Sequence, residues 1–214
     1  MKTAIVILSL LFAYFAFGQI PDTVTVKHKY YSATFSKSKH FPVVVKYWLT
    51  KHMLACKKKV KRTNNFRPDP LLPEYTDLQK DYANSGFDRG HNMDAFDNGC
   101  DRVGMSESFY YSNMCPQTPA LNRGEWKSLE EYTRIKANQS DSVLVWCGSV
   151  AVGTKHIGRV AVPDYCWKII FIKKLGTIEA YSFKNDASPS QPIESYKVPA
   201  DSVEHLSGIK FTVN

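Results

Sequence analysis

The chemically versatile side chains of this sequence gather in Asp88-Arg89-Gly90-His91, followed by Asn113 and then by Asn122, Glu130 and Arg134. These residue types suit cleavage of a phosphodiester. A neutral imidazole takes a proton from water near pH 7. Arginine presents fixed donors to phosphate oxygens. Amides, carboxylates and water are the oxygen ligands a hard divalent cation prefers. Each residue also has a plainer reading. His91 taken alone reads as a satisfied structural histidine, and Glu130 with Arg134, four positions apart, reads as a weak surface ion pair.

The elements that must position these groups follow from patterning. Thr118-Pro119 opens a helix, with Thr as N-cap and Pro in the first position, running to about Ala137. At about 100° per residue, Asn122 falls inside an apolar stripe with Trp126, Leu129 and Tyr132. A buried amide there needs a strong partner; a metal ion and a backbone cap both serve. Glu130 and Arg134 fall on the stripe's edge. Eight residues of regular helix separate Asn122 from Glu130 by about 12 Å, too far for both to hold one ion directly. A role through water suits Glu130 better.

Upstream, Thr23–Val26, Tyr30-Tyr31 and Val43–Val45 leading to Trp48 read as strands. Downstream, Val143–Trp146, Arg159–Val162, Trp167–Ile172 and Ile178–Phe183 do the same, followed by a short helix from Pro199 to Leu206 and a last strand Ile209–Val213. Three prolines in residues 67–73 force a crossing loop. The basic run Lys57–Arg62 reads as a solvated loop that, beside a phosphate site, would also bind. One α+β domain over residues 19–214 is the economical reading.

Met1 and Lys2 precede an apolar stretch ending in small residues at Ala16 and Gly18, the pattern of a signal peptide over residues 1–18. It is too short to span a bilayer, and no Cys beside Gly18 offers a lipid anchor. The mature chain is therefore expected to be secreted or periplasmic. The chain carries 28 Lys+Arg against 20 Asp+Glu, a net charge of +8, which favours an acidic partner, nucleic acid first. No strongly basic amphipathic helix speaks for a membrane partner. Five cysteines permit at most two intrachain disulfides, and the lack of CxxC or Cys/His spacing speaks against a structural zinc site. Cys147 and Cys166 read as buried thiols. Cys100 and Cys115, flanking the two motif regions, are one pairing on offer.

Residues 82–91 (Tyr-Ala-Asn-Ser-Gly-Phe-Asp-Arg-Gly-His), 112–117 (Ser-Asn-Met-Cys-Pro-Gln) and 122–126 (Asn-Arg-Gly-Glu-Trp), with Leu129-Glu130, resemble the DNA/RNA non-specific endonuclease family. The resemblance reaches upstream to residues 62–69 and downstream to Val162-Pro163, Trp167–Ile170, Val198-Pro199 and Ser207–Ile209. It implies a ββα-metal fold with a central, mostly antiparallel sheet flanked by helices. It implies an endonuclease of DNA and RNA leaving 5′-phosphate products. His91 would be the general base, Asn122 the direct ligand of one Mg²⁺, and Glu130 the residue orienting a metal-bound water; Mn²⁺ or another divalent ion is also admitted. Arg89 and Arg134 would bind the scissile phosphate, Arg62 would match an upstream substrate-binding arginine, and Asn113 would position substrate or histidine. A homodimer is one assembly it admits. The residues after His91 depart from the family's small apolar run: they are Asn92-Met93-Asp94-Ala95. The rival from another class is an exported nucleic-acid-binding or uptake protein with little turnover.

Overall fold

A computed structural model describes residues 22–188 and 190–213. The expected signal peptide lies outside the described residues. Strands β1 (Thr23–Lys27), β2 (Tyr31–Ser36) and β3 (Phe41–Thr50) run into a one-turn helix α1 (Lys51–Leu54). After an irregular basic stretch come two further one-turn helices, α2 (Pro73–Thr76) and α3 (Gln79–Tyr82). Then follow β4 (Asp88–His91), α4 (Arg102–Glu107), β5 (Met114–Gln117), α5 (Pro119–Arg123) and α6 (Glu125–Ser140). The chain closes with β6 (Ser142–Val150), β7 (His156–Ile157), β8 (Val160–Ala161), β9 (Tyr165–Ile172), β10 (Thr177–Lys184), β11 (Lys197–Val198) and α7 (Ala200–Ser207).

Seven strands form one antiparallel sheet in the order β1-β2-β3-β6-β9-β10-β11. Both of its faces are covered, which is why β6 and β9 read as nearly unbroken apolar runs rather than alternating ones. Residues of one parity, among them Val143, Val145 and Ile170, pack with Trp126 and Leu129 of α6. The other parity, Leu144, Trp146, Trp167 and Ile169, packs with Val203 of α7 and with Ile209 and Phe211. The α+β expectation with an antiparallel sheet between helices holds.

Four expectations need correction. The helix opening at Thr118 is two helices: at Gly124 the backbone turns to φ −100°, ψ −109°, and a β-carbon there would sit 2.6 Å from the Ala120 carbonyl oxygen. Angles and axial distances counted through Gly124 therefore do not apply, and Asn122 is half-exposed rather than on a buried face. The Arg159–Val162 strand shrinks to Val160–Ala161, paired with His156–Ile157 outside the main sheet. Residues 209–213 form no strand; Ile209 and Phe211 serve as apolar cover for the sheet. The disulfide joins Cys56 to Cys100, with Cα atoms 5.6 Å apart, while Cys115, Cys147 and Cys166 are buried free thiols.

Candidate active site

Strands β4 and β5 form a separate antiparallel hairpin, Asp88 opposite Gln117 and His91 opposite Met114, and the chain then enters α5 and α6. This is a ββα unit. Gly90 is required by packing: a β-carbon there would run into the side chain of Gln117, which is itself fully buried. The open side of the unit lines a cleft of about 960 Å³ that receives Arg62, Arg89, His91, Asn122, Glu130 and Arg134. Of the residues singled out in the sequence, only Asn113 stays outside it.

His91 is 7 % exposed, its ring met edge-on by Phe66 and Phe109 at centroid distances of 5.7 and 5.0 Å. The indole N–H of Trp126 donates to the His91 carbonyl at 3.0 Å, so α6 fixes the strand that carries the ring. Burial and the nearby Arg62 charge push the imidazole pKa down to about 4, against a smaller pull from Asp94. The ring is therefore neutral at pH 7. Its Nε2 is buried with no hydrogen-bond partner among the described residues, a costly state unless water or a ligand serves it.

Four arginines line the cleft; Arg123 is spent on Asp88, and the other three are each tied to the protein by one nitrogen. Arg62 donates from Nε to Asn64 Oδ1 at 2.9 Å and lies over Phe109, 4.9 Å from the ring centre. Arg89 donates from Nε to the Tyr111 hydroxyl at 3.1 Å, and that hydroxyl donates to Gln79 Oε1 at 2.6 Å. Arg134 donates from Nη1 to Asp94 at 2.5 Å and to Asp97 at 3.2 Å. In each case the other guanidinium nitrogens make no hydrogen bond among the described residues, so donors remain for phosphate oxygens. The surface pairing of Arg134 with Glu130 is not what forms: both aspartates come from the segment just after His91. Burial disfavours the Arg134 charge, but Asp97, Asp94 and Glu130 outweigh it and raise its pKa. Asp97, buried beside Asp94, is itself pushed up to about 7 despite Arg134.

Asn122 spends its amide N–H on Asp88 Oδ2 at 2.9 Å, leaving Oδ1 without a partner among the described residues. Asp88 is committed elsewhere: Arg123 grips it through Nε and Nη2 at 2.8 and 2.7 Å. Burial would raise the Asp88 pKa, but Arg123 and Asn122 hold it below the usual range. Among the described residues no group of three His, Cys, Asp or Glu could hold a metal ion. The donor set thus fits a cation with one protein ligand, the Asn122 amide oxygen, and water for the rest. Glu130 makes no hydrogen bond among the described residues. Burial, then Asp94, raise its carboxyl well above the carboxylate range, against Lys168 and Arg134; a cation nearby would pull it down.

Asn113 is fully buried. Its amide N–H groups donate to the Met93 and Ser108 carbonyls at 2.9 and 2.8 Å, and its Oδ1 accepts from Met93 N–H at 2.9 Å. It braces the segment that leaves His91 and touches no space where substrate would lie. Phe66, Phe109, Tyr111, Asp94 and Asp97 carry the site without having been singled out. Asp94 alone had a signal, the charge standing where the family runs apolar.

Residues 11–214 match the family described as DNA/RNA non-specific endonuclease. Mitochondrial nuclease 1 of Schizosaccharomyces pombe is 30% identical over 94% of this chain and 70% of its own length. Human mitochondrial endonuclease G is 31% identical over 72% of this chain and 58% of its own length. A nuclease of Nostoc is 29% identical over 91% and 75%. The fold is similar to a chain in the crystal structure of the EndoG/EndoGI complex, with TM-score 0.79 and 28% identity over 87% of this chain and 84% of that one.

Proposed function

The chain belongs to the DNA/RNA non-specific endonuclease family, and from that premise we propose that it is an exported, Mg²⁺-dependent enzyme hydrolysing DNA and RNA with little sequence preference. The products would carry 5′-phosphate and 3′-hydroxyl ends. One observation carries the reading: a neutral histidine with an unserved Nε2 in a cleft lined by three arginines that keep spare donors. His91 takes the proton of a water attacking phosphorus in line. The spare N–H groups of Arg62, Arg89 and Arg134 hold the phosphate and offset the charge it gains in the transition state. A divalent ion at Asn122, with Glu130 acting through water, would stabilise the departing 3′-oxygen. Mn²⁺ or another hard ion suits the same donors. Asn113 positions His91 through the Met93 backbone. The Cys56–Cys100 disulfide supports residence in an oxidising compartment and so the expected removal of residues 1–18 on export.

Incubation with plasmid DNA and with RNA tests this. Degradation is expected with Mg²⁺ and none with EDTA. His91→Ala is expected to slow cleavage by roughly 10²–10⁴-fold while binding in EDTA persists. A variant that cuts at the wild-type rate would overturn the mechanism. Binding without EDTA-sensitive degradation would identify a nucleic-acid-binding protein instead.

A further inference from the structure

The basic run Lys57–Arg62 is held in a way that a solvated loop does not need. Residues 55–66 have no helix or strand, yet they are fastened at several points. Cys56 is bonded to Cys100, and the Val60 N–H donates to the Gly99 carbonyl at 2.7 Å. Val60 and Phe66 pack on a small separate core of Ala95, Met105 and Phe109. Lys59 donates to the Leu54 carbonyl at 2.9 Å and lines the cleft together with Val60 and Arg62. With the apolar members turned into that core, Lys57, Lys58 and Lys61 stay exposed, and none forms an ion pair among the described residues. Of the acids on neighbouring segments, Asp101 pairs with Lys29 at 2.6 Å, and Asp94 and Asp97 pair with Arg134.

We propose that this disulfide-fastened segment is a phosphate rail. It would carry a polynucleotide backbone out of the cleft from Arg62 along Lys61, Lys58 and Lys57, and the Cys56–Cys100 bond would hold its register. The proposal rests on the nuclease reading for where the backbone enters. Its logic is that of sequence-independent binding: free lysines on a fixed track release counterions from successive phosphates, whereas lysines on a floppy loop must first lose entropy.

The test is binding of a fluorescent 30-base-pair duplex in EDTA across a salt series, where no cleavage is needed. Lys57→Gln/Lys58→Gln/Lys61→Gln is expected to lower the slope of log K against log salt by roughly two to three, about 0.9 per lost contact, and to weaken binding at least about tenfold at 0.1 M salt. Cys56→Ala/Cys100→Ala, with every lysine retained and folding checked by circular dichroism, is expected to weaken binding severalfold. Lys46→Gln serves as the control, since Lys46 lies over Trp146 on the sheet face away from α6. An unchanged slope in the triple variant, or an equal loss in the control, overturns the rail. Salt-dependent binding lost in the triple variant, with no cleavage by the wild type in Mg²⁺, would instead overturn the nuclease reading and leave the rail standing.

Discussion

At the scale of single residues, the proposed mechanism turns on keeping His91 unprotonated. Two causes lower its pKa to about 4: burial between Phe66 and Phe109, and the Arg62 charge. Because the proposed base must be neutral, and because kcat/KM reports the free enzyme, the acid limb of its pH profile is expected near pH 4 rather than near 6.5. Arg62→Gln removes the smaller cause, so the limb should move upward without reaching 6.5. A limb at 6.5 in the wild type would show that the ring is solvated. The same shift has a stability sign. Between about pH 6.5 and 4 the unfolded chain binds a proton that the folded chain refuses, so folding weakens on acidification through that window. The arginines follow a second rule of economy. One nitrogen of each of Arg62, Arg89 and Arg134 is anchored, which in the proposed mechanism would lower the entropy lost on gripping phosphate, and the rest stay available.

At the scale of elements, the ββα unit is set by two places where helix propensity yields to geometry. Gly124 breaks the helix, so Asn122 ends one piece beside Asp88 while Glu130 and Arg134 ride the other. A continuous helix would carry Asn122 round with the apolar stripe. The other element is the fastened segment before β4. Its disulfide spans 44 residues of sequence, and closing a loop of that length restricts the unfolded chain by about 4 kcal/mol in the chain-entropy account. Cys56→Ala/Cys100→Ala should accordingly lower Tm by roughly 5–15 °C. An unchanged Tm would show that the bond does not stabilise the fold.

At the scale of the whole molecule, the cleft is electrically joined to the sheet beneath it. Lys168 sits in the middle of β9, fully buried, with its Nζ 4.5 Å from the centre of the Trp126 ring and without a hydrogen bond among the described residues. Its charge opposes the raised pKa values of Asp97 and Glu130. From inside the core, Lys168 thus adds to Arg134 in favouring the charged forms of these carboxylates. Removing one partner of a buried charge group costs about 3–5 kcal/mol. Lys168→Met should therefore lower Tm by about 10 °C despite being the more apolar side chain, and adding Glu130→Gln should restore part of the loss. If Lys168→Met melts higher than the wild type, the lysine is an expense of the core and not its counterion.

The sequence by itself determined the family and the fold class: Asp88, Arg89, His91, Asn122, Glu130 and Arg134 can be picked out there as residues that line the cleft, and the strand runs of β3, β6, β9 and β10 are legible from their apolar residues. Local order sufficed for these because each depends on neighbours within one strand or one turn. What only the tertiary structure decided are relations between distant segments. Cys56 finds Cys100 rather than Cys100 finding Cys115, because the basic run folds back along the Gly99 backbone. Arg134 turns to Asp94 and Asp97 rather than to Glu130, because the segment after His91 packs against α6. Asn113 becomes a buried brace for the same segment. Periodicity carries no record of which charged groups meet in the cleft, since that is settled by packing free energy summed over the two faces of the sheet.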